Sequence, residues 1–345
     1  MEARIFKDWA KKAVVKSGAL RALAHSKPPA AVILAYHSVR DEPREDADWI
    51  GPGITHATKI FSRHMEMVAR QFHPVALSDI LDFLQGNREL PPRAVAVTFD
   101  DGFADNIHAA APVLARFGVP AAFYLAVSLI GTQEAPWYSR IRHAFMTTRC
   151  KVWQSRALGE ARDISSRSLL DSALLTAYDL GSSLEGKPQQ EFVLTVEREL
   201  QVEPAPPRNR LMLNWEEARA LRRDGHIVGS HTLTHPNVAH VKERNALRVE
   251  MVESKRRMEE HLQEPVSHFS YPHPALIPQW NEATLSMTRE AGYATAVTTT
   301  RGPVRKGVNP LLLPRINAAL PDHEFLWNLE RTFLRAAPAS LSSVS

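Results

Sequence analysis

Six short, almost continuously apolar runs recur along the chain, at 31–36, 94–99, 121–127, 226–230, 267–271 and 294–299. A strand with one wet face alternates apolar and polar residues, so solid apolarity of this length is typical of strands covered on both faces. Stretches with helical periodicity separate the runs, at 60–71, 77–85, 105–117, 214–224, 242–263 and 279–291. This alternation predicts an α/β fold built on a parallel sheet.

The alternation breaks between residues 132 and 212. Polar sequence with helical character occupies 141–150, 166–179 and 188–201, and strand signals are few. We therefore predict a helical insertion at about 132–212 within a domain that spans 28–335. A separate lid domain over the substrate is the alternative interpretation. The Ala/Pro/Ser-rich residues 336–345 are predicted to be a disordered tail.

Charge is distributed unevenly along the chain. Residues 1–27 hold seven basic and two acidic side chains, a local charge of +5, so the remaining residues sum to −1 within the total of +4. A protein that binds nucleic acid carries its basic excess on the folded body, so we expect no nucleic-acid partner. The single cysteine excludes an internal disulfide framework and a cysteine-rich zinc module.

The basic N-terminal extension has amphipathic periodicity. One side of its predicted helix carries Ile5, Phe6, Trp9, Ala13, Leu20 and Leu23. Two interpretations stay open: residues 4–24 contact a membrane surface, or they pack on their own domain or fray. No apolar run is long enough to cross a bilayer or to form the centre of a secretory signal. We therefore expect a cytoplasmic protein, with peripheral contact at the inner membrane face as one option.

Two adjacent carboxylates end the second apolar run, in the sequence Thr98-Phe99-Asp100-Asp101-Gly102. Burying such a pair is costly without a cation or strong hydrogen bonds. Neighbouring side chains in an extended strand point to opposite faces, so one acid can bind a metal while the other serves as a base. A turn or a helix N-cap is the alternative.

Two histidines four residues apart follow the run at 226–230. One helical turn would place His231 and His235 on one face, within reach of a single ion. A chance pair is the alternative, since the chain holds 15 histidines. Two histidines and an aspartate would supply three ligands and leave a position open for water, which is typical of catalytic sites.

These motifs, with FSYPHP at 269–274 and LPRI at 313–316, resemble those of the polysaccharide deacetylases (carbohydrate esterase family 4, the NodB-homology domain). The resemblance covers about residues 31–320. It implies a distorted (β/α) barrel of about seven strands with a helical insertion. It also implies Asp100 as the catalytic base, Asp101, His231 and His235 as metal ligands, and Arg315 as the residue that orients the base.

The sequence departs from the family at two catalytic positions. The backbone N–H near His273 corresponds to the oxyanion donor, but Pro274, which lacks an N–H, follows where the family more often has glycine. His273 is alternatively a sugar-binding residue. The late Leu-x-His motif that supplies the general acid in many members is not visible. His37, after the first strand, is the leading candidate for a proton donor or substrate contact, and a buried structural histidine is the alternative.

Aromatic residues near the predicted site are candidates for contacts with a sugar ring, with core packing as the alternative. They are Trp137, Tyr138, Trp215 and Tyr271.

The resemblance implies metal-dependent removal of N-acetyl groups from an amino-sugar-containing polysaccharide, oligosaccharide or glycolipid. Zn²⁺ is the first expectation for a His₂Asp site, and Co²⁺, Ni²⁺ or Mn²⁺ fit the same ligands. The alternatives are an amidase acting on a non-sugar amide or imide, a catalytically silent glycan-binding protein, and a membrane-recruited assembly factor.

Overall fold

A computed structural model describes residues 2–25, 27–41, 48–272, 276–319 and 321–336. Its strands, in chain order, are β1 (Ala31–Tyr36), β2 (Ser38–Val39), β3 (Thr55–His56), β4 (His73–Pro74), β5 (Ala94–Phe99), β6 (Ala121–Leu125), β7 (Val152–Ser155), β8 (Glu160–Asp163), β9 (Ile227–Ser230), β10 (His268–Ser270), β11 (Thr295–Val297) and β12 (Ile316–Asn317). Its helices are α1 (Glu2–Ser17), α2 (Ala19–His25), α3 (Thr58–Gln71), α4 (Leu77–Gln85), α5 (Ala111–Phe117), α6 (Trp137–Thr147), α7 (Arg167–Ser182), α8 (Gly186–Glu199), α9 (Trp215–Arg223), α10 (Arg244–Arg248), α11 (Ser254–Leu262), α12 (Glu282–Glu290) and α13 (Asp322–Leu334). One π-helical segment, Asn106–Ala110, precedes α5, and another, Val249–Glu253, joins α10 to α11.

A curled parallel sheet forms the centre of the molecule. Its strand order is β11-β10-β9-β6-β5-β1-β12, with β4 paired to β5. The two edges approach one another, because the N–H of Leu313 donates to the carbonyl of Ala296 and the N–H of Thr298 donates to the carbonyl of Leu313, both at 2.8 Å. The predicted α/β class and the distorted barrel of about seven strands are confirmed.

Alternate strand residues fill the two sides of this sheet. Ala31 and Ile33 belong to the cluster inside the barrel, to which the strands contribute several alanines, whereas Val32 and Leu34 pack with the larger cluster beneath the surrounding helices. The same alternation along β5 puts Ala94, Ala96 and Thr98 on the inner side, and Asp100 continues that register. Small inner residues allow the sheet to curl tightly, and the strand pattern aims Asp100 into the barrel.

The insertion folds as a helical layer with an apolar cluster of its own. Helices α6, α7 and α8 match the three predicted helical stretches, but the antiparallel hairpin of β7 and β8 was not predicted. Trp153 on β7 is fully buried, stacks edge-on against Phe145 at 5.2 Å and donates its indole N–H to Glu199. Tertiary packing of one tryptophan therefore stabilises a hairpin whose own sequence is largely polar.

The N-terminal extension is helical and lies on the barrel. Gly18, at φ +73°, separates α1 from α2, and Lys11 of α1 forms an ion pair of 3.1 Å with Glu324 of α13. Trp9 and Leu23 are nevertheless 64% and 55% exposed. Contact of residues 4–24 with a membrane remains a prediction. In the described part of the chain, no helix combines the length and apolarity needed to span a membrane. The predicted disordered tail lies outside the described residues, apart from Ala336.

Candidate metal centre and active-site cavity

Asp101, His231 and His235 converge behind the carboxyl ends of β5 and β9. All three are buried, and one ligand atom from each lies within 4.8 Å of the other two. The Nε2 atoms of His235 and His231 are 3.2 and 3.5 Å from Oδ1 of Asp101. One carboxylate oxygen and two imidazole nitrogens facing one point form a donor set suited to a divalent transition metal.

The histidine pair converges through a tight loop and not through the helical turn expected from its spacing. Thr232 and His235 both have left-handed backbone conformations, at φ +68° and +63°. The buried carboxylate of Glu250 stabilises this loop by accepting hydrogen bonds from the N–H groups of Leu233 and Thr234 and from the Thr234 hydroxyl. A remote carboxylate thus offsets the cost of an unfavourable local conformation.

Backbone conformation also sets the direction of Asp101. This residue has φ +73°, and Gly102 follows at φ +85°. A Cβ atom on Gly102 would lie 2.9 Å from the Leu125 side chain, so only glycine fits between the ligand and β6. The sharp turn sends Asp101 toward the histidines while Asp100 remains on the barrel side, as predicted from the alternation of strand side chains.

Hydrogen bonds fix the ligand side chains. The carbonyl of Ser270 lies 2.8 Å from Nδ1 of His231, so this nitrogen carries the proton and Nε2 presents a lone pair. Burial lowers the pKa of His235, which favours the neutral form that binds metals. On the remaining side, the Tyr138 hydroxyl donates to Oδ2 of Asp101 at 2.7 Å.

Asp100 pairs with Arg315 inside the barrel. The two terminal nitrogens of Arg315 donate to the two carboxylate oxygens at 2.8 Å each. The same guanidinium also donates to the hydroxyls of Thr98 and Ser270 and to the carbonyl of Thr298, all at 3.1 Å. Burial acts to raise the pKa of Asp100, but Arg315 and His231 outweigh it and lower this pKa to about 2. Asp100 is therefore ionised at neutral pH.

A cavity of about 460 Å³ opens onto these groups. The barrel contributes Asp100, the three candidate ligands and Arg315, and the loop around 49–54 forms a second wall. A third wall comes from the insertion, through Tyr138, Arg142, Asp171, Leu174, Leu175 and Tyr178. The insertion is therefore part of the site, which could not be decided from the sequence.

The remaining predicted site residues differ in whether they line the cavity. His37 is half-buried and lines the cavity. Tyr271 also lines it, but its hydroxyl is 2.7 Å from the hydroxyl of Thr288 in the core. His273 and the loop assigned to the oxyanion lie outside the described residues.

Two of the predicted stacking residues are not among those that line the cavity. The buried Trp137 donates its indole N–H to the carbonyl of His235 at 3.0 Å. Trp215 stacks on His261, with ring centroids 4.1 Å apart. Packing against neighbouring side chains therefore occupies both rings, and Tyr138 is the aromatic residue of this group that faces both the cavity and a ligand.

Sequence reasoning missed Glu250 and the wall at 49–54. The sequence held a weak signal for Glu250. This acid lies between two apolar residues, Val249 and Met251, in a predicted helix, and Met251 is buried. The loop at 49–54 carries no comparable signal, since its position depends wholly on tertiary contacts.

Comparisons with known proteins agree with this site. The sequence model of a family described as "Polysaccharide deacetylase" matches residues 87–296, more than half of the chain. No curated protein matches the sequence significantly.

Solved structures show the same fold at low identity. The Streptococcus pyogenes deacetylase PplD in complex with acetate aligns with a TM-score of 0.57 and 16% identity, over 89% of this chain and 99% of that chain. IcaB from Ammonifex degensii aligns with a TM-score of 0.58 and 16% identity, over 88% and 98%. A de-N-acetylase from Aggregatibacter actinomycetemcomitans gives 0.56 and 16%, over 87% and 99%.

Proposed function

The chain belongs to the polysaccharide deacetylase family, hydrolases of carbon–nitrogen bonds, and on that premise we propose that it removes N-acetyl groups from an amino-sugar polysaccharide, oligosaccharide or glycolipid with the help of a divalent metal. One observation carries the proposal. Asp101, His231 and His235 converge on one cavity. Asp100 lines the same cavity, with its carboxylate hydrogen-bonded to the guanidinium of Arg315. A ligand triad beside a separate, charged carboxylate is suited to metal-assisted amide hydrolysis, with the carboxylate as the general base.

Asp101, His231 and His235 would hold the cation, with Zn²⁺ as the first choice and Co²⁺, Ni²⁺ or Mn²⁺ compatible with the same donors. When bound, such an ion supplies Lewis acidity toward a water molecule and toward the carbonyl oxygen of the acetamido group. The donor atoms fit this role because all three side chains are buried and one nitrogen of His231 is already committed to a backbone carbonyl.

Asp100 takes the proton of the attacking water in this scheme. Its two oxygens accept from Arg315, which holds the carboxylate in one orientation and keeps it charged. Because its pKa lies near 2, Asp100 is unprotonated at neutral pH and has both carboxylate oxygens available as acceptors. The departing amine needs a donor, and we assign that step to His37, which lines the same cavity.

The Streptococcus pyogenes deacetylase PplD, which has this fold, was solved in complex with acetate. This supports acetate as the product that the proposed reaction releases. The test is acetate release from N-acetylglucosamine oligomers by metal-loaded protein, with and without a chelator. We expect Asp100→Asn to lower kcat by at least 10²-fold, in the range of a lost general base. The exposed Asp224→Asn is the matched control and should retain full activity.

Two results would contradict the proposal. If the metal-loaded protein hydrolyses simple amides but no N-acetyl glycan, it is an amidase. If it binds both metal and oligosaccharides without turnover, and Asp100→Asn changes nothing, it is a glycan-binding protein.

A further inference from the structure

The first turn of α6 contacts two of the three candidate ligands. Trp137 and Tyr138 are consecutive residues at the start of the insertion, and each reaches a different motif of the barrel. The indole N–H of Trp137 donates to the carbonyl of His235 at 3.0 Å, and the hydroxyl of Tyr138 donates to Oδ2 of Asp101 at 2.7 Å. The helical insertion therefore meets the metal site through two hydrogen bonds as well as through the cavity wall.

We infer that the insertion completes the metal site, with Tyr138 as the positioning residue that holds Asp101 in its metal-binding orientation. This inference rests on the proposed function, because it assigns a partner to a ligand of the same metal. Tyr138 acts here through Asp101.

The two oxygens of Asp101 are used differently. Oδ1 faces the imidazoles of His231 and His235, whereas Oδ2 accepts from Tyr138. A hydrogen bond to a charged acceptor at 2.7 Å is among the stronger kinds in proteins. It fixes the rotation of the carboxylate, so Asp101 presents one oxygen to the ion in a defined direction. Without this bond, the carboxylate can turn within the site, and the ligand geometry is no longer pre-organised.

Tyr138 is itself held in place by the packing around it. Its ring lies 5.1 Å from the ring of His235 and meets Trp137 edge-on at 5.8 Å. Trp137 in turn packs directly on α7, where a Cβ atom at Gly181 would lie 2.5 Å from the indole. A continuous set of contacts therefore joins α7, the first turn of α6 and the ligands, so the insertion supports the metal site as well as shaping the cavity.

The experiment measures metal affinity directly, by competition with a chromophoric chelator, so that its readout does not depend on a substrate. Partners of metal ligands typically contribute 10–100-fold to metal affinity or activity. We expect Tyr138→Phe to weaken Zn²⁺ binding by about 10–100-fold and to change the visible absorption of the Co²⁺-loaded protein. It should lower kcat more than it raises KM.

Tyr178→Phe is the matched control. Tyr178 lines the same cavity and its ring also meets Trp137, at 6.3 Å, but the hydrogen bond to Asp101 comes from Tyr138. The control should retain the metal affinity and the Co²⁺ spectrum. Trp137→Phe, which removes the donor to His235, provides a second variant and should also weaken metal binding.

Asp101→Asn separates the two possible failures. If Asp101→Asn loses the metal while Tyr138→Phe binds it as tightly as the unaltered protein, the inference is overturned, whatever Trp137→Phe does, and the proposed metal site stands. If Asp101→Asn itself binds the metal undiminished, the proposed metal site fails and the inference fails with it. Equal losses in Tyr138→Phe and Tyr178→Phe would also overturn the inference, because they would indicate a general effect of altering the cavity wall.

Discussion

Replacing Arg315 with methionine should leave the Asp100 carboxylate buried without its counter-charge. Arg315 is 2% exposed and Asp100 is 4% exposed, so the little water that reaches them from the cavity cannot replace the charge of the lost guanidinium. The substitution also removes the donors to Thr98, Ser270 and Thr298. We therefore expect a loss of both stability and acetate release.

The size of the effect follows from the charge balance at Asp100. A pKa lowered from 3.8 to about 2 corresponds to about 2 kcal/mol in favour of the ionised carboxylate in the folded protein. Because the folded pKa is depressed, this stabilisation is present above pH 3.8 and is lost as the pH falls through about 2. Breaking a buried ion pair at one partner usually costs about 3–5 kcal/mol. We expect Arg315→Met to lower the free energy of unfolding by this amount at pH 7. The loss should be smaller at pH 5, because without Arg315 burial raises the pKa of Asp100 and the carboxyl group can be protonated.

Urea unfolding of four proteins checks this reasoning: the unaltered chain, Arg315→Met, Asp100→Asn and the double variant. The loss of unfolding free energy in the double variant should be at least about 1.5 kcal/mol smaller than the sum of the losses in the single variants. Each single change leaves one buried partner without its hydrogen-bonding or charged counterpart. Additivity within about 0.5 kcal/mol would refute the argument. Arg140→Met is the control, since Arg140 makes a similar two-bond pair with Glu197 in the insertion. It should lower stability without changing the pKa of Asp100.

Two further predictions concern the ligand loop and acid stability. Glu250→Gln should cost about 1–3 kcal/mol and weaken metal binding, because the loop of Thr232 and His235 loses its carboxylate acceptor; thermal unfolding and chelator competition measure both. Burial lowers the pKa of His56 to about 4. As the pH falls, this histidine is therefore protonated in the unfolded chain before it is protonated in the folded protein. Stability should fall by up to about 3 kcal/mol as the pH drops from 6.5 to 4, and less in His56→Gln, measured by urea unfolding at each pH.

Both predictions have an outcome that would contradict them. Glu253→Gln changes a partly exposed pair with Arg256, about one turn away from Glu250. Equal metal-binding losses in the two variants would contradict the role of Glu250. An identical pH dependence in His56→Gln and the unaltered chain would show that His56 does not titrate differently on folding.

The strands could be predicted because their signal is local. β1 and β5 have the predicted bounds, 31–36 and 94–99, since uninterrupted apolar sequence suits a strand covered on both faces. The pairing of Asp100 with Arg315 came from the family resemblance, because 215 positions separate these residues and periodicity carries no information over that distance. The hairpin of β7 and β8 was missed for a related reason, as it depends on where Trp153 packs.

The candidate ligands Asp101, His231 and His235 are thus a prediction from the sequence alone, since residue type and motif order identify them. How they converge was decided by the tertiary structure. The spacing of the histidines indicated a helical turn, but the carboxylate of Glu250 stabilises a left-handed loop in its place. Tyr138 was recognised only as an aromatic residue near the site, whereas the fold brings its hydroxyl to Asp101. A chain specifies local conformation through neighbouring residues, but hydrogen bonds between distant segments exist only once packing has brought their donors and acceptors together.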